Sequence, residues 1–200
     1  MKYLVNKILK RKLLSLMFFI VLISLIFSFI FINILSNDNK DIIRISVNNF
    51  MNSIYTNKIV YKDIFFKGFT TNLILYLFIW FLGISIIGIP ILLIILFIST
   101  FITSFTFLSI IYTFKVYGIL LGSIYIIPHL LNFFFYFILI YYSLSFSKTL
   151  FNYFFRKKEC NRRVLVRRYV KLLLFSFIFI FFTSIIETFF VPFLIKFIKL

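Results

Sequence analysis

Few residues in this chain could carry chemistry. Among 200 residues there are five carboxylates, one His and one Cys. Glu187 stands in "TSIIETFFVPF", residues 183 to 193, the one acid of an otherwise apolar run. A carboxylate in such a setting can carry a proton or answer a cation, and it needs a partner to do either. His129, in "YIIPHLLN", is the one imidazole. "SFSK", Ser145 to Lys148, has the S-x-x-K spacing of penicillin-binding enzymes, but the companion S-D-N and K-T-G elements are missing. There is no G-x-x-x-x-G-K-[ST] to cradle a nucleotide. One His and one Cys cannot assemble a soft-ligand metal cluster. Cys160 has no second cysteine for an internal disulfide. The expectation is a protein that is not an enzyme, with no catalytic set, no metal and no cofactor.

The elements that position these residues follow from composition. The chain is 63% hydrophobic, with 33 Phe, more apolar surface than a small water-soluble core can hide. Ala is absent while Phe, Ile, Asn and Lys abound, the mark of an AT-rich coding sequence, so the Phe count carries no functional weight. Lys and Arg outnumber Asp and Glu 22 to 5, and the excess is clustered as in cytoplasmic loops of membrane proteins. A nucleic-acid binder would spread it over a folded polar surface. The partners expected are membrane lipids and not nucleic acid.

The uncharged runs give an all-α, polytopic membrane protein, a bundle of about five transmembrane helices. A basic N-terminus, 1–12, precedes a first span at 13–35, whose 23 residues would extend roughly 35 Å against a hydrocarbon core of about 30 Å. No A-x-A-like cleavage pattern follows, so an uncleaved anchor with an internal amino terminus is expected. The 47 uncharged residues between Lys67 and Lys115 are too long for one crossing. "GIP", Gly88 to Pro90, is the natural break, because Pro lacks an amide donor and disfavours helix before it. Spans are expected at 72–88 and 90–113, a fourth at 118–147 broken near Pro128, and a fifth at 172–195. Residues 148–171 hold nine Lys or Arg against one Glu. This loop and the amino terminus are both internal only if the number of spans between them is even, which supports the hairpin at Gly88–Pro90. The carboxyl terminus is then external.

Residues 36–71 form the one sizeable external segment. Within it Ile43, Val47, Phe50, Met51 and Ile54 recur at helical spacing behind Asp41, a cap residue. Such an amphipathic helix lies on lipid or docks a partner, with Phe50, Met51 and Ile54 as the contact candidates. "GILLG", Gly118 to Gly122, with Ser123 extending the face, has small-xxx-small spacing, for close packing within the chain or for a homo-oligomer. His129 either satisfies a carbonyl freed by Pro128 or faces a polar interior. Arg156, Lys157, Lys158, Arg162, Arg163, Arg167 and Arg168 need only topology and anionic headgroups to explain them.

Glu187 is the sixteenth of the 24 residues 172–195, roughly 5 Å past the midplane at 1.5 Å per residue. An acid there costs a few kcal/mol unless it is neutral or hydrogen-bonded within the bundle. Pro192 also leaves the Thr188 carbonyl without its helical donor. The expectation is a packing residue held by Ser or Thr hydroxyls, by carbonyls freed at Pro128, or by His129. Glu187→Gln would then be tolerated and Glu187→Leu would not.

These motifs carry a resemblance. "IIETFFVP" resembles the Ile-Glu-Ala-Phe-x-x-Pro signature in the last span of the stage II sporulation protein M family. "FLGISIIGIP" and "GILLGSIYIIPHLL" are similar to that family's second-to-third span turn and its Gly-x-x-x-Gly-to-Pro segment. The likeness runs from the basic amino terminus to Pro192 and places Gly88, Pro90, Pro128, Glu187 and Pro192 on motif positions. Two departures stand out: Leu130 and Phe133 replace the Gly and Glu of a Pro-His-Gly-x-x-Glu motif of distant relatives, and Ser99, Thr100, Thr103 and Ser104 stand where relatives carry glycines. The resemblance implies a non-enzymatic scaffold of the engulfment complex of endospore-forming bacteria, in the sporulation septum and engulfing membrane. It also implies partners, the wall hydrolases called stage II sporulation proteins D and P. The competing reading is a small transporter or permease subunit with Glu187 and His129 in a polar pathway; no inverted repeat and no second intramembrane acid speak for it.

Overall fold

The computed structural model describes residues 2–56, 60–156 and 162–197. Among them there is no strand; seven α-helices follow in order, α1 (Lys2–Ile34), α2 (Asn37–Tyr55), α3 (Tyr61–Ile84), α4 (Gly88–Phe114), α5 (Val116–Arg156), α6 (Arg162–Ile185) and α7 (Val191–Phe197). A π-helical turn, Ile186–Phe190, joins the last two. Five stretches are long and apolar enough to cross a membrane: Lys12–Ile34, Tyr61–Ile84, Gly88–Phe114, Val116–Tyr153 and Arg163–Phe197. The protein is a multi-pass, all-α membrane bundle.

α5 is the central column, packed on α3, α4 and α6, while α1 lies along α4. The main core gathers Met17, Tyr76, Ile79, Leu92, Leu96, Leu139, Ile140 and Ile180. Large apolar side chains such as Phe19, Leu22, Phe81, Phe134 and Phe182 face outward, as a lipid solvent permits. With little hydrophobic drive between helices in lipid, small residues and interhelical hydrogen bonds do the joining. Ser24 on α1 donates to the Phe97 carbonyl on α4 at 2.8 Å, and Ser28 bonds Ser104 across the same seam. Ser99, Thr100 and Thr103 instead turn their hydroxyls back onto α4's own carbonyls.

Several boundaries differ from the sequence reading, because charge ends an apolar run without ending a helix. α3 starts at Tyr61, not at residue 72, and includes the exposed Lys62, Asp63 and Lys67. α5 is not broken at Pro128; it continues to Arg156. Much of the expected 148–171 loop is therefore helix, while Lys157, Lys158 and Cys160 lie outside the described residues. α2 begins at Asn37 behind Ser36, so Asp41 is no cap; it pairs with Arg44 at 3.5 Å. The hairpin between α3 and α4 occupies residues 85–87, and Pro90 sits in α4's first turn, where a missing N–H is harmless. A side-chain carbon at Gly88 would meet the backbone of Leu82. At the other end α4 and α5 are joined through Lys115, whose φ of 52° is the one positive value at a non-glycine residue among those described.

Gly118 and Gly122 face α4: a Cβ would stand 2.6 Å from the Ile110 carbonyl at the first and 2.9 Å from the Phe107 ring at the second. The small-xxx-small face is thus used inside this chain. Ser123 is off that face, exposed and bonded to the Ile119 carbonyl.

Candidate functional site

Glu187 lies in the π-helical turn, where Val191 N–H bonds the Ile186 carbonyl five residues back. Such a turn adds a residue to the helix and rotates the side chains that follow it. Pro192 sits just after it, in the first turn of α7. Opposite, on α5, His129 points its Nε2 at Glu187 Oε1 across 3.9 Å. That is an ion-pair distance and too long for a hydrogen bond. Nε2 is buried with no hydrogen-bond partner, and the ring packs on Tyr125 with centroids 4.3 Å apart.

The expected Ser or Thr partners of Glu187 are elsewhere. Thr188 donates to the Ser184 carbonyl and Thr183 to those of Phe179 and Ile180. The carboxylate instead lines a partly open cavity of about 520 Å³, bounded by α3, α5, the π-helical turn and Phe50 of α2. Its Oε2 lies against α3 at Gly68, where a Cβ would be 3.6 Å away. Lys67, Thr71 and Asn72 of α3 line the same space, as do Tyr125, Pro128 and Pro192.

A polar network extends from Asn72, the one member of it that lines the cavity. Asn72 Oδ1 accepts from Asn132 Nδ2 at 2.9 Å and from the Tyr136 hydroxyl at 3.2 Å; Tyr76 donates to Asn132 Oδ1 at 2.9 Å. The network crosslinks α3 and α5, with Tyr76 and Asn132 buried.

The fold therefore brings Pro128, His129, Glu187, Pro192 and Phe50 together and leaves Gly88, Pro90, Gly118 and Gly122 at helix–helix joints. Met51 and Ile54 are not surface contacts: with 1% and 0% exposure they pack on Ile110, Leu121, Val191 and Ile195. α2 spends that face on its own bundle. The α3 side of the cavity is absent from the sequence reading, which kept 36–71 out of the spans. Its signal was present: Lys67, Gly68, Thr71 and Asn72 fall at i, i+1, i+4 and i+5, and Tyr125, His129, Asn132 and Tyr136 make a second helical stripe.

A family model described as Stage II sporulation protein M matches residues 15–192. The chain belongs to the stage II sporulation protein M family. Neither a curated protein nor a solved structure matches it. The matched range spans every cavity residue, so the cavity is built entirely from the part of the chain that carries the family pattern, and the sporulation family accounts for a membrane protein of this architecture.

Proposed function

We propose that the protein is a non-enzymatic membrane scaffold of the engulfment complex, which brings the wall hydrolases, stage II sporulation proteins D and P, to the septal and engulfing membrane. The observation that carries this reading is the family match over residues 15–192. The charge pattern supports an orientation with the basic termini of α5 and α6 inside and α2 outside, facing the wall. The docking surface then falls on the free face of α2. Ile42 and Ile45 are 60% and 59% exposed, and Asn49 continues their stripe one turn on, whereas Met51 and Ile54 are committed to the bundle.

The test is made in sporulating cells. Removing the chain should arrest migration of the mother-cell membrane, seen by membrane-dye microscopy. Ile42→Asp with Ile45→Asp should lower co-purification of the two hydrolases at unchanged abundance of the membrane protein. Normal recruitment by that variant would reject this docking surface; normal engulfment without the chain would reject the scaffold. The approach of His129 to Glu187 at the cavity favours a second reading, a transport subunit, for which solute or ion flux in proteoliposomes is the distinguishing measurement.

A further inference from the structure

A lysine and a glutamate border the cavity, and no contact within 4.0 Å joins them to each other. Arg44 and Asp41 approach to 3.5 Å and His129 and Glu187 to 3.9 Å, and Lys67 takes part in neither contact. Lys67 lines the cavity from α3 and Glu187 from the π-helical turn, and they are not bonded to each other. Lys67 alone would be an ordinary snorkelling cation at a helix end. Glu187 alone would be an expensive acid. Both facing one space, with Asn72 and Tyr125 beside them, offer an anion acceptor and a cation acceptor at the same site. The volume, about 520 Å³, falls within the roughly 300–1,000 Å³ of small-molecule sites, and the lining is mostly apolar with a few polar groups, the usual make-up of such sites.

We propose that this cavity binds a zwitterion, its ammonium on Glu187 and its anionic oxygens on Lys67. The chemistry fits the headgroup of an aminophospholipid, or a free phosphorylated amine of the same charge pattern. Gly68 is part of the device: α3 has no side chain at the point where it passes the carboxylate's Oε2, so a larger residue there would fill the space beside the acid. His129 Nε2 lies 3.9 Å from Oε1 on the other side. The site stands apart from the scaffold reading, since α2's exposed stripe does not line it.

The experiment is native mass spectrometry on the full chain purified in detergent. Dioleoylphosphatidylethanolamine, dioleoylphosphatidylglycerol with the same tails but no ammonium, and soluble O-phosphoethanolamine are added separately. Tighter binding of the ethanolamine lipid than of the glycerol lipid, by about tenfold, is expected from one charge-assisted contact. Glu187→Gln should remove most of that preference, Lys67→Gln should weaken both lipids by a similar factor, and Gly68→Leu should block the site without changing charge. Gel filtration verifies that each variant is folded; should Glu187→Gln fail, the two α3 variants still decide. Binding of O-phosphoethanolamine at comparable strength supports the site with a soluble ligand, and a requirement for the acyl chains supports it with a lipid. Equal binding of both lipids with none of the soluble probe, unchanged preference in Glu187→Gln, or unchanged affinity in Lys67→Gln and Gly68→Leu overturns the proposal.

Discussion

Glu187 shows how far one residue can be read from sequence. An acid in an apolar run demanded compensation, and that much was legible. His129 was among the candidate partners, but the approach of Gly68 from α3 was not legible, because spacing along one chain does not report on distance across the bundle. Gly83 is a second case. A Cβ there would collide with the Tyr169 hydroxyl and would stand 2.7 Å from Ser143 Cβ. That hydroxyl donates to the Trp80 carbonyl at 2.8 Å and is bonded to Ser143 Oγ, so one glycine lets α3, α5 and α6 share a junction. Gly83→Ala should cost about 1–3 kcal/mol, as overpacking does. Gly68→Ala, whose Cβ would make an ordinary 3.6 Å contact, should leave stability unchanged; thermal unfolding in detergent compares the two. Asn132→Leu tests the polar network by the same assay. It removes one of the two donors to Asn72 Oδ1 and leaves the buried Tyr76 hydroxyl only the Asn132 backbone carbonyl at 3.3 Å, at about 0.5–1.5 kcal/mol for each hydrogen bond lost.

At the scale of elements, the apolar runs predicted five crossings and five crossing helices are present, but their ends were misplaced wherever charge and helix disagree. Lys62, Asp63 and Lys67 extend α3 well beyond its apolar stretch, since long side chains can reach a polar boundary while the backbone stays helical. Pro128 did not break α5, because neighbouring helices and local adjustments can accommodate a proline within a membrane helix. α2 is the most instructive. It is a helix with the apolar face expected, but that face is divided: Phe50 stays exposed while Met51 and Ile54 close the end of the bundle over Val191 and Ile195. Met51→Ala should therefore destabilise by about 2–5 kcal/mol, the range for truncating a buried side chain. Ile42→Ala, on the exposed face, should change stability by less than about 0.5 kcal/mol. If thermal midpoints of the two variants coincide, α2 is not part of the folded bundle.

For the whole molecule the open quantity is direction. α2, the α4–α5 turn and α7 share one end; the α3–α4 hairpin and the termini of α5 and α6 share the other. The fold alone does not say which end faces the cytoplasm, and the charge distribution does. Five basic residues precede Leu13 and nine lie between 148 and 171, against a single acid, whereas all three aspartates, Asp38, Asp41 and Asp63, belong to the α2 end. Short basic segments stay on the cytoplasmic side. Cys160, the one native cysteine, follows α5 in the basic segment and should be shielded from a membrane-impermeant maleimide in intact protoplasts, then react once they are permeabilised. A second cysteine at the exposed position of Asn49→Cys on α2, in a Cys160→Ser background, should react in intact protoplasts. The opposite pattern would invert the molecule, turn the cavity mouth to the cytoplasm and remove α2 from the space where wall hydrolases work.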